Sequence, residues 1–425
     1  MHKVAKANHE FVMRKHGISA SAALVALFAA AWLGASCSSD TAQADPDTGD
    51  VTSGDATNDV VPDESGPDDE AEAVEVEVPV APRAFRMATG VPIGVRASDA
   101  LDAAWSAASE DSDGVLIWLD NGLPWAELLA GERFPDAYDA FLDDLEQRIL
   151  ATGGDTVVVI DLFNPSRDGF VRDVLGRPTD DLAIGFDQAN FAARYADFCA
   201  TLASRLRPRA VAPMVDVNLY AAATPEQQAA MIQAYVAARI AVQDVDPQIR
   251  VFPLWDIDML RETAASNDAE GRPLIRQLDE RLDVFAFQLR PADSLTPASE
   301  LSPGDLDFAR SLTTRPLGVV GTAYPSTGFV RGADVFASSE NSQYNFLAYI
   351  LAEGERLGLN QVAWRMATDP NTLLQDPCGD LTVCDEADVT RRYDGLRSTG
   401  LRGAAGTSRR ALTLWNDYRA RPPIN

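Results

Sequence analysis

Histidine and lysine carry much of the proton, acyl and Schiff-base chemistry of proteins. Here they are confined to the first sixteen residues, as His2, His9, His16, Lys3, Lys6 and Lys15. Those residues belong to a segment with the composition of a removable targeting signal. A mature chain without either residue type is excluded from Ser-His-Asp and Cys-His catalysis, imidazole metal sites, lysine Schiff bases and a P-loop lysine. Carboxylates, tyrosines and arginines remain for acid–base work. Asp161, Asp216 and Asp256 each stand at or just past the end of a short apolar run. Paired carboxylates of this kind suit glycoside cleavage, at ~5–5.5 Å for a retaining mechanism and ~6.5–9.5 Å for an inverting one. Near the ends of similar runs lie Trp125, Asn164, Arg167, Asn218, Tyr220, Trp255, Arg290, Tyr324 and Trp364. Aromatic rings stack on the apolar faces of sugars and short polar groups bond their hydroxyls, so these are the candidate substrate-binding residues. Each also has a plainer reading: Trp125 and Trp255 as core lids, Asp161 as a helix cap.

Elements must bring these residues to one place. From about Phe85 onward, short β-rich runs alternate with longer helical patterns. The expected strands are Val91–Val95, Val115–Leu119, Thr156–Leu162, Ala210–Asp216, Arg250–Leu254, Val284–Gln288, Leu317–Gly321 and Gln361–Arg365. Between them, stretches such as Asp136–Leu150, Phe186–Arg205, Pro225–Val242 and Asn341–Leu357 repeat apolar residues at three- and four-residue spacing, which predicts helices. Eight strands with intervening helices predict an α/β fold, a (β/α)8 TIM barrel over residues 85–425, with its working face at the C-terminal strand ends. A doubly wound open sheet is the alternative. It usually carries a Gly-rich phosphate turn after an early strand, whereas Arg96-Ala97-Ser98-Asp99 follows the first one here.

The order of motifs resembles the clan of glycoside hydrolases built on an eight-stranded barrel, particularly its endo-galactanase-like members. Pro124-Trp125-Ala126-Glu127 resembles the segment after their second strand, and Tyr195-Ala196-Asp197-Phe198 the helix leading into the fourth. Met214-Val215-Asp216-Val217-Asn218-Leu219-Tyr220 falls where the clan has its Asn-Glu pair. Gln288-Leu289-Arg290-Pro291 stands for a Ser-x-Tyr-Pro motif, Gly321-Thr322-Ala323-Tyr324-Pro325-Ser326 for the seventh-strand motif, and Trp364 for the tryptophan ending the eighth. The resemblance implies Asp216 as acid/base, with one methylene less than the usual glutamate. It places Gly321 at the nucleophile position and Arg290 at that of a supporting tyrosine. The expectation is a glycan-binding protein on a hydrolase-like barrel without retaining glycosidase activity. The alternative is an active hydrolase that uses Asp216 with Asp256 or Asp161 in a displaced or inverting pair. A purely structural surface protein is a third reading.

The N-terminus sets an expected location. Arg14 and Lys15 precede an apolar run from Ile18 to Leu33, too short for the ~20 residues of a membrane span and typical of a secretory signal. Gly34-Ala35-Ser36-Cys37 resembles a bacterial lipoprotein signal, which implies lipidation of Cys37 after removal of residues 1–36. Ser38 in place of an aspartate goes, in that resemblance, with outer-membrane sorting or surface exposure in the cell envelope. Ser38 to Pro82 holds 14 carboxylates and no basic residue, so residues 37–84 are expected to be a solvated, self-repelling linker. The net charge of -28 argues against nucleic acid as a partner. The expected partners are a polysaccharide or oligosaccharide and, through the anchor, a membrane; the expected state is a monomer with neither cofactor nor metal. Cys378 and Cys384 are spaced to close a small disulfide, and Cys199, in an apolar helical pattern, is expected to be a buried thiol.

Overall fold

The computed structural model describes residues 81–91, 98–370 and 396–424, with short omissions inside the middle stretch. Cys37, Cys378 and Cys384 lie outside the described residues. Eight parallel strands form the sheet: β1 (Arg86–Val91), β2 (Gly114–Leu119), β3 (Asp155–Ile160), β4 (Ala210–Ala212), β5 (Arg250–Val251 and Leu254–Asp256), β6 (Phe285–Gln288), β7 (Leu317–Thr322) and β8 (Gln361–Trp364). Their order is β4-β3-β2-β1-β8-β7-β6, and β5 supplies both edges. Its first segment pairs with β4 and its second with β6. Pro253, which has no N–H for the ladder, stands at the break. Across that break Phe252 N donates to Val211 O at 3.2 Å and Leu254 N to Met214 O at 2.8 Å, so one interrupted strand closes the sheet into a barrel.

Alternation along the strands sorts the core into two layers. Ala88, Leu116, Trp118, Val157, Val159, Ala210, Ala212, Phe252, Leu254, Val284, Ala286, Val320 and Ala363 fill the barrel interior. The residues between them, such as Ile117, Val158, Val211, Phe285, Val319 and Val362, face the helices. Those helices are α1 (Ser98–Asp111), α2 (Trp125–Ala130), α3 (Asp136–Thr152), α4 (Phe191–Leu206), α5 (Pro225–Val245), α6 (Ile257–Ala265), α7 (Gly271–Asp279), α8 (Asp307–Leu312), α9 (Glu340–Leu357) and α10 (Arg410–Arg419). Cys199, on the inner side of α4, is a buried free thiol, and burial pushes its pKa up to about 12. The first strand lies earlier than expected: β1 is Arg86–Val91, and of the expected Val91–Val95 all but Val91 lies outside the described residues. Two neighbours fix that register, Arg86 opposite Gln361 on one side and Ala88 opposite Gly114 on the other.

Candidate active site at the C-terminal end of the barrel

The strand ends converge as the barrel requires, and a salt-bridge network occupies the point of convergence. Asp161 follows β3 and is fully buried. Arg167, further along the same loop, has a left-handed backbone with φ 60 and folds back over it. Its Nη1 donates to Asp161 Oδ1 at 2.6 Å and its Nη2 to Oδ2 at 3.1 Å. The same Nη2 lies 2.8 Å from Asp216 Oδ2, so one guanidinium bridges two of the three expected carboxylates. The nearer oxygens of the two carboxylates thereby stand within about 6 Å of each other, with a cation wedged between them. Asp216 itself sits at φ 51, a left-handed conformation that Asp tolerates better than most residues. Its other oxygen accepts a hydrogen bond from Gln288 Nε2, at the inward-facing end of β6.

Asp256 ends β5. Asn218, in the short turn after β4, holds that strand end like a sheet partner: Asp256 N donates to Asn218 Oδ1 at 3.0 Å and Asn218 Nδ2 to Asp256 O at 3.2 Å. Asp256 Oδ1 accepts from Met259 N at 3.0 Å, capping α6. Burial raises the pKa of its carboxyl, and the nearby charge of Asp216 raises it further. Arg290 and the Met259 N–H oppose the shift, and the result is about 7. Arg290 is itself held as a cation: burial works against its charge, and Asp293, Asp216 and Asp256 outweigh that effect.

Gly321 lies at an irregularity in β7, where the register with β8 shifts between Ala363 and Trp364. Its φ is 76, the conformation of a glycine bulge. A Cβ there would meet Trp118 Cζ3 at 2.3 Å and Cη2 at 2.9 Å. The Trp118 indole therefore fills the space into which a side chain at position 321 would project. Its other ring neighbour is the guanidinium of Arg365, whose Cζ lies 3.7 Å from the ring centroid while Nη2 pairs with Asp120 at 2.8 Å. Trp118 was not among the expected binding or catalytic residues. The available signal was parity: Trp118 alternates in phase with the inward-facing Leu116.

The expected sugar-stacking residues take other places. Trp125 is fully buried against Phe170 and Phe191, with its indole N–H on Val171 O at 2.7 Å. Trp255 stacks on Phe285 behind the sheet, at a centroid distance of 5.5 Å. Trp364 donates to Thr399 O at 2.7 Å, and Tyr324 stacks on Phe346. All four are closed to solvent, because at outward parity or in the following turn they pack between sheet and helices. Tyr220 keeps a partly exposed ring against Phe163 and Phe186. Asn164, also partly exposed, lies in the loop that carries Arg167, its backbone N–H on Gly169 O at 2.9 Å. The structure thus brings together Asp161, Arg167, Asp216, Asn218, Asp256 and Arg290, with the Trp118 indole N–H on Asp161 Oδ2 at 3.4 Å, and packs Trp125, Trp255 and Trp364 in the other layer of the core. Among the described residues no three His, Cys, Asp or Glu side chains gather as a metal-holding group.

No family model and no curated protein matches the sequence. Solved structures do. A GH5_18 protein from Streptomyces cattleya, determined in complex with Manb1-4GlcNAc, aligns at 12% identity and a TM-score of 0.53 over 79% of this chain and 80% of that one. A GH5_18 protein from Bifidobacterium longum subsp. infantis gives 11% and 0.53 over 80% of each chain. An exo-beta-1,4-mannosidase from Opitutaceae bacterium strain TAV5 gives 14% and 0.55, covering 79% of this chain and 58% of that chain. At such identities the likeness is one of architecture: this chain has the α/β barrel on which those glycosidases are built.

Proposed function

We propose that this protein binds glycans through a hydrolase-like barrel and does not run the retaining glycosidase reaction. The observation that carries the reading is the guanidinium of Arg167 set between Asp161 and Asp216. A retaining enzyme needs one carboxyl free to exchange a proton with the leaving group and a second free to attack the sugar. Here Asp161 and Asp216 are both tied to one cation. At position 321, where the clan resemblance puts the attacking glutamate, a glycine faces an indole. Asp256, Arg290 and Tyr220 supply a polar rim suited to sugar hydroxyls, and Asn218 holds the Asp256 strand end in place. The same reading keeps a lipid anchor at Cys37 and an acidic tether that holds the barrel off the cell envelope, with a monomeric barrel and no nucleic acid partner.

One feature favours a second reading, an active hydrolase of displaced geometry: the raised pKa of Asp256 is what a general acid requires. Calorimetric titration and turnover assays with β-galactan, β-glucan and β-mannan oligosaccharides separate the two. Binding without turnover is the expected result. Hydrolysis that is lost in both Asp216→Asn and Asp256→Asn would establish the second reading in its place.

A further inference from the structure

The opposite, N-terminal end of the barrel holds a second polar cluster, which the sugar reading does not use. Arg86, Asp155, Arg250 and Gln361 share the inward parity of Ala88, Val157, Phe252 and Ala363, and they form the lowest interior layer. Arg86 is the register partner of Gln361, and Asp155 that of Gly114. Gly114 and Gly318 add no side chain to that layer. Arg209, just before β4, reaches the same place. The Nη1 groups of Arg86 and Arg209 both donate to Asp155 Oδ2, the latter at 2.8 Å. Arg250 Nη1 reaches across to Asn360 Oδ1.

Charge and donor count are both unbalanced here. Three guanidiniums face one carboxylate, an excess of two positive charges in a chain whose net charge is -28. Two other acids at this end, Asp113 and Asp283, are engaged by Arg83 and Arg239. The crowding is felt electrostatically. Burial lowers the pKa of Arg209 and, against the pull of Asp155, the charges of Arg86 and Arg250 lower it further. The donors are also in surplus. Gln361 Nε2 is buried without an acceptor among the described residues. Each arginine commits only Nη1 of its guanidinium to the side-chain bonds of this cluster. The side chains of Arg86 and Arg209 are 36% and 28% exposed, so the cluster is open to solvent.

We propose that the floor of the barrel is a binding site for a tetrahedral oxyanion, a phosphate or sulfate group, held by Arg86, Arg209, Arg250 and Gln361. Such an anion supplies the missing charge. Its several oxygens can accept from more than one guanidinium fork as well as from the Gln361 amide, whereas a planar carboxylate matches a single fork.

The test uses the full chain. Thermal unfolding is followed at constant ionic strength while sodium chloride is replaced by sodium phosphate or sodium sulfate, and calorimetry measures the dissociation constant. The expected result is a saturable rise in Tm with an oxyanion and none with chloride. In Arg209→Gln and in Gln361→Leu the affinity should fall about tenfold or more, the loss of a charge-assisted or buried bond. Gln361→Leu keeps all three arginines, so it reports even if Arg209→Gln does not fold. A response to only one of the two anions identifies the ligand. Equal Tm in all three salts, a shift that does not saturate, or a saturable shift unchanged in the variants would overturn the proposal.

Discussion

Asp256 shows how surroundings set the chemistry of one side chain. Its ionised form is opposed by burial and by Asp216, and favoured by Arg290 and the Met259 N–H. The folded value of about 7 lies above the ~3.9 of an unfolded chain. The carboxyl therefore contributes stability that is fully present below about pH 4 and is lost as pH rises through about 7, by up to ~1.4 kcal/mol per pH unit. Asp256→Asn abolishes that dependence. Urea titrations should show wild type losing stability relative to the variant between about pH 4 and 7 and tracking it above. Parallel pH profiles would refute the assignment. Gly321 makes the complementary case. An alanine there combines a left-handed backbone, worth ~1–2 kcal/mol, with the Trp118 contact, so Gly321→Ala should cost about 2 kcal/mol or more. If the indole is the obstacle, the same change made in a Trp118→Leu background should cost about 1 kcal/mol less, measured as a double-mutant cycle. At this scale the carboxylates were legible from sequence because each ends an apolar run. The tryptophans were misplaced because a one-residue change of parity decides between barrel interior and helix layer. Trp255 follows the inward Leu254, and Trp364 the inward Ala363, so both rings turn outward.

The elements were easier to see, since seven of the eight strands are β-branched or apolar runs bounded by turn residues and fall within a few residues of expectation. β1 was not. Arg-Met-Ala-Thr-Gly-Val lacks a strong β signal, and its place is decided by hydrogen bonding to β8 and β2, which no local pattern encodes. The division of β5 was likewise hidden, although Pro253 marks it. Helix α4 starts at Phe191 and not at Phe186, because Asn190 adopts a left-handed φ of 68 that no continuing helix permits. Helix α5 illustrates a local rule that survives intact. Thr224 caps it, accepting from Gln227 N at 3.3 Å while Gln227 Oε1 accepts from Thr224 N at 3.1 Å. Thr224→Ala should cost about 1 kcal/mol in urea unfolding, and Thr224→Ser should recover most of it. If Ser and Ala are equally destabilising, the methyl of Thr224 and not its oxygen holds the helix end.

At the scale of the molecule, the segment before β1 is joined to the segment after α10. Arg83 N donates to Pro422 O at 3.1 Å and Ile424 N to Arg83 O at 2.9 Å. The Arg83 side chain, 1% exposed, forks onto Asp113 at 2.6 and 2.7 Å and places Nε on Arg421 O at 2.8 Å. Arg421 in turn pairs with Glu355 at the end of α9, and Trp415 on α10 donates to Asp111 O at the end of α1. One buried cation thus ties the segment before β1, the start of β2 and the tail after α10. Arg83→Gln leaves Asp113 without its fork and Arg421 O without its donor, a loss of about 3 kcal/mol by analogy with broken buried pairs. Because the contact joins residues more than three hundred positions apart, the loss should fall on the whole barrel. The urea midpoint drops while the slope of the single transition stays that of wild type. A separate early transition, or a midpoint unmoved by the substitution, would mean that the ends fray without consequence and that the barrel closes through its strands alone.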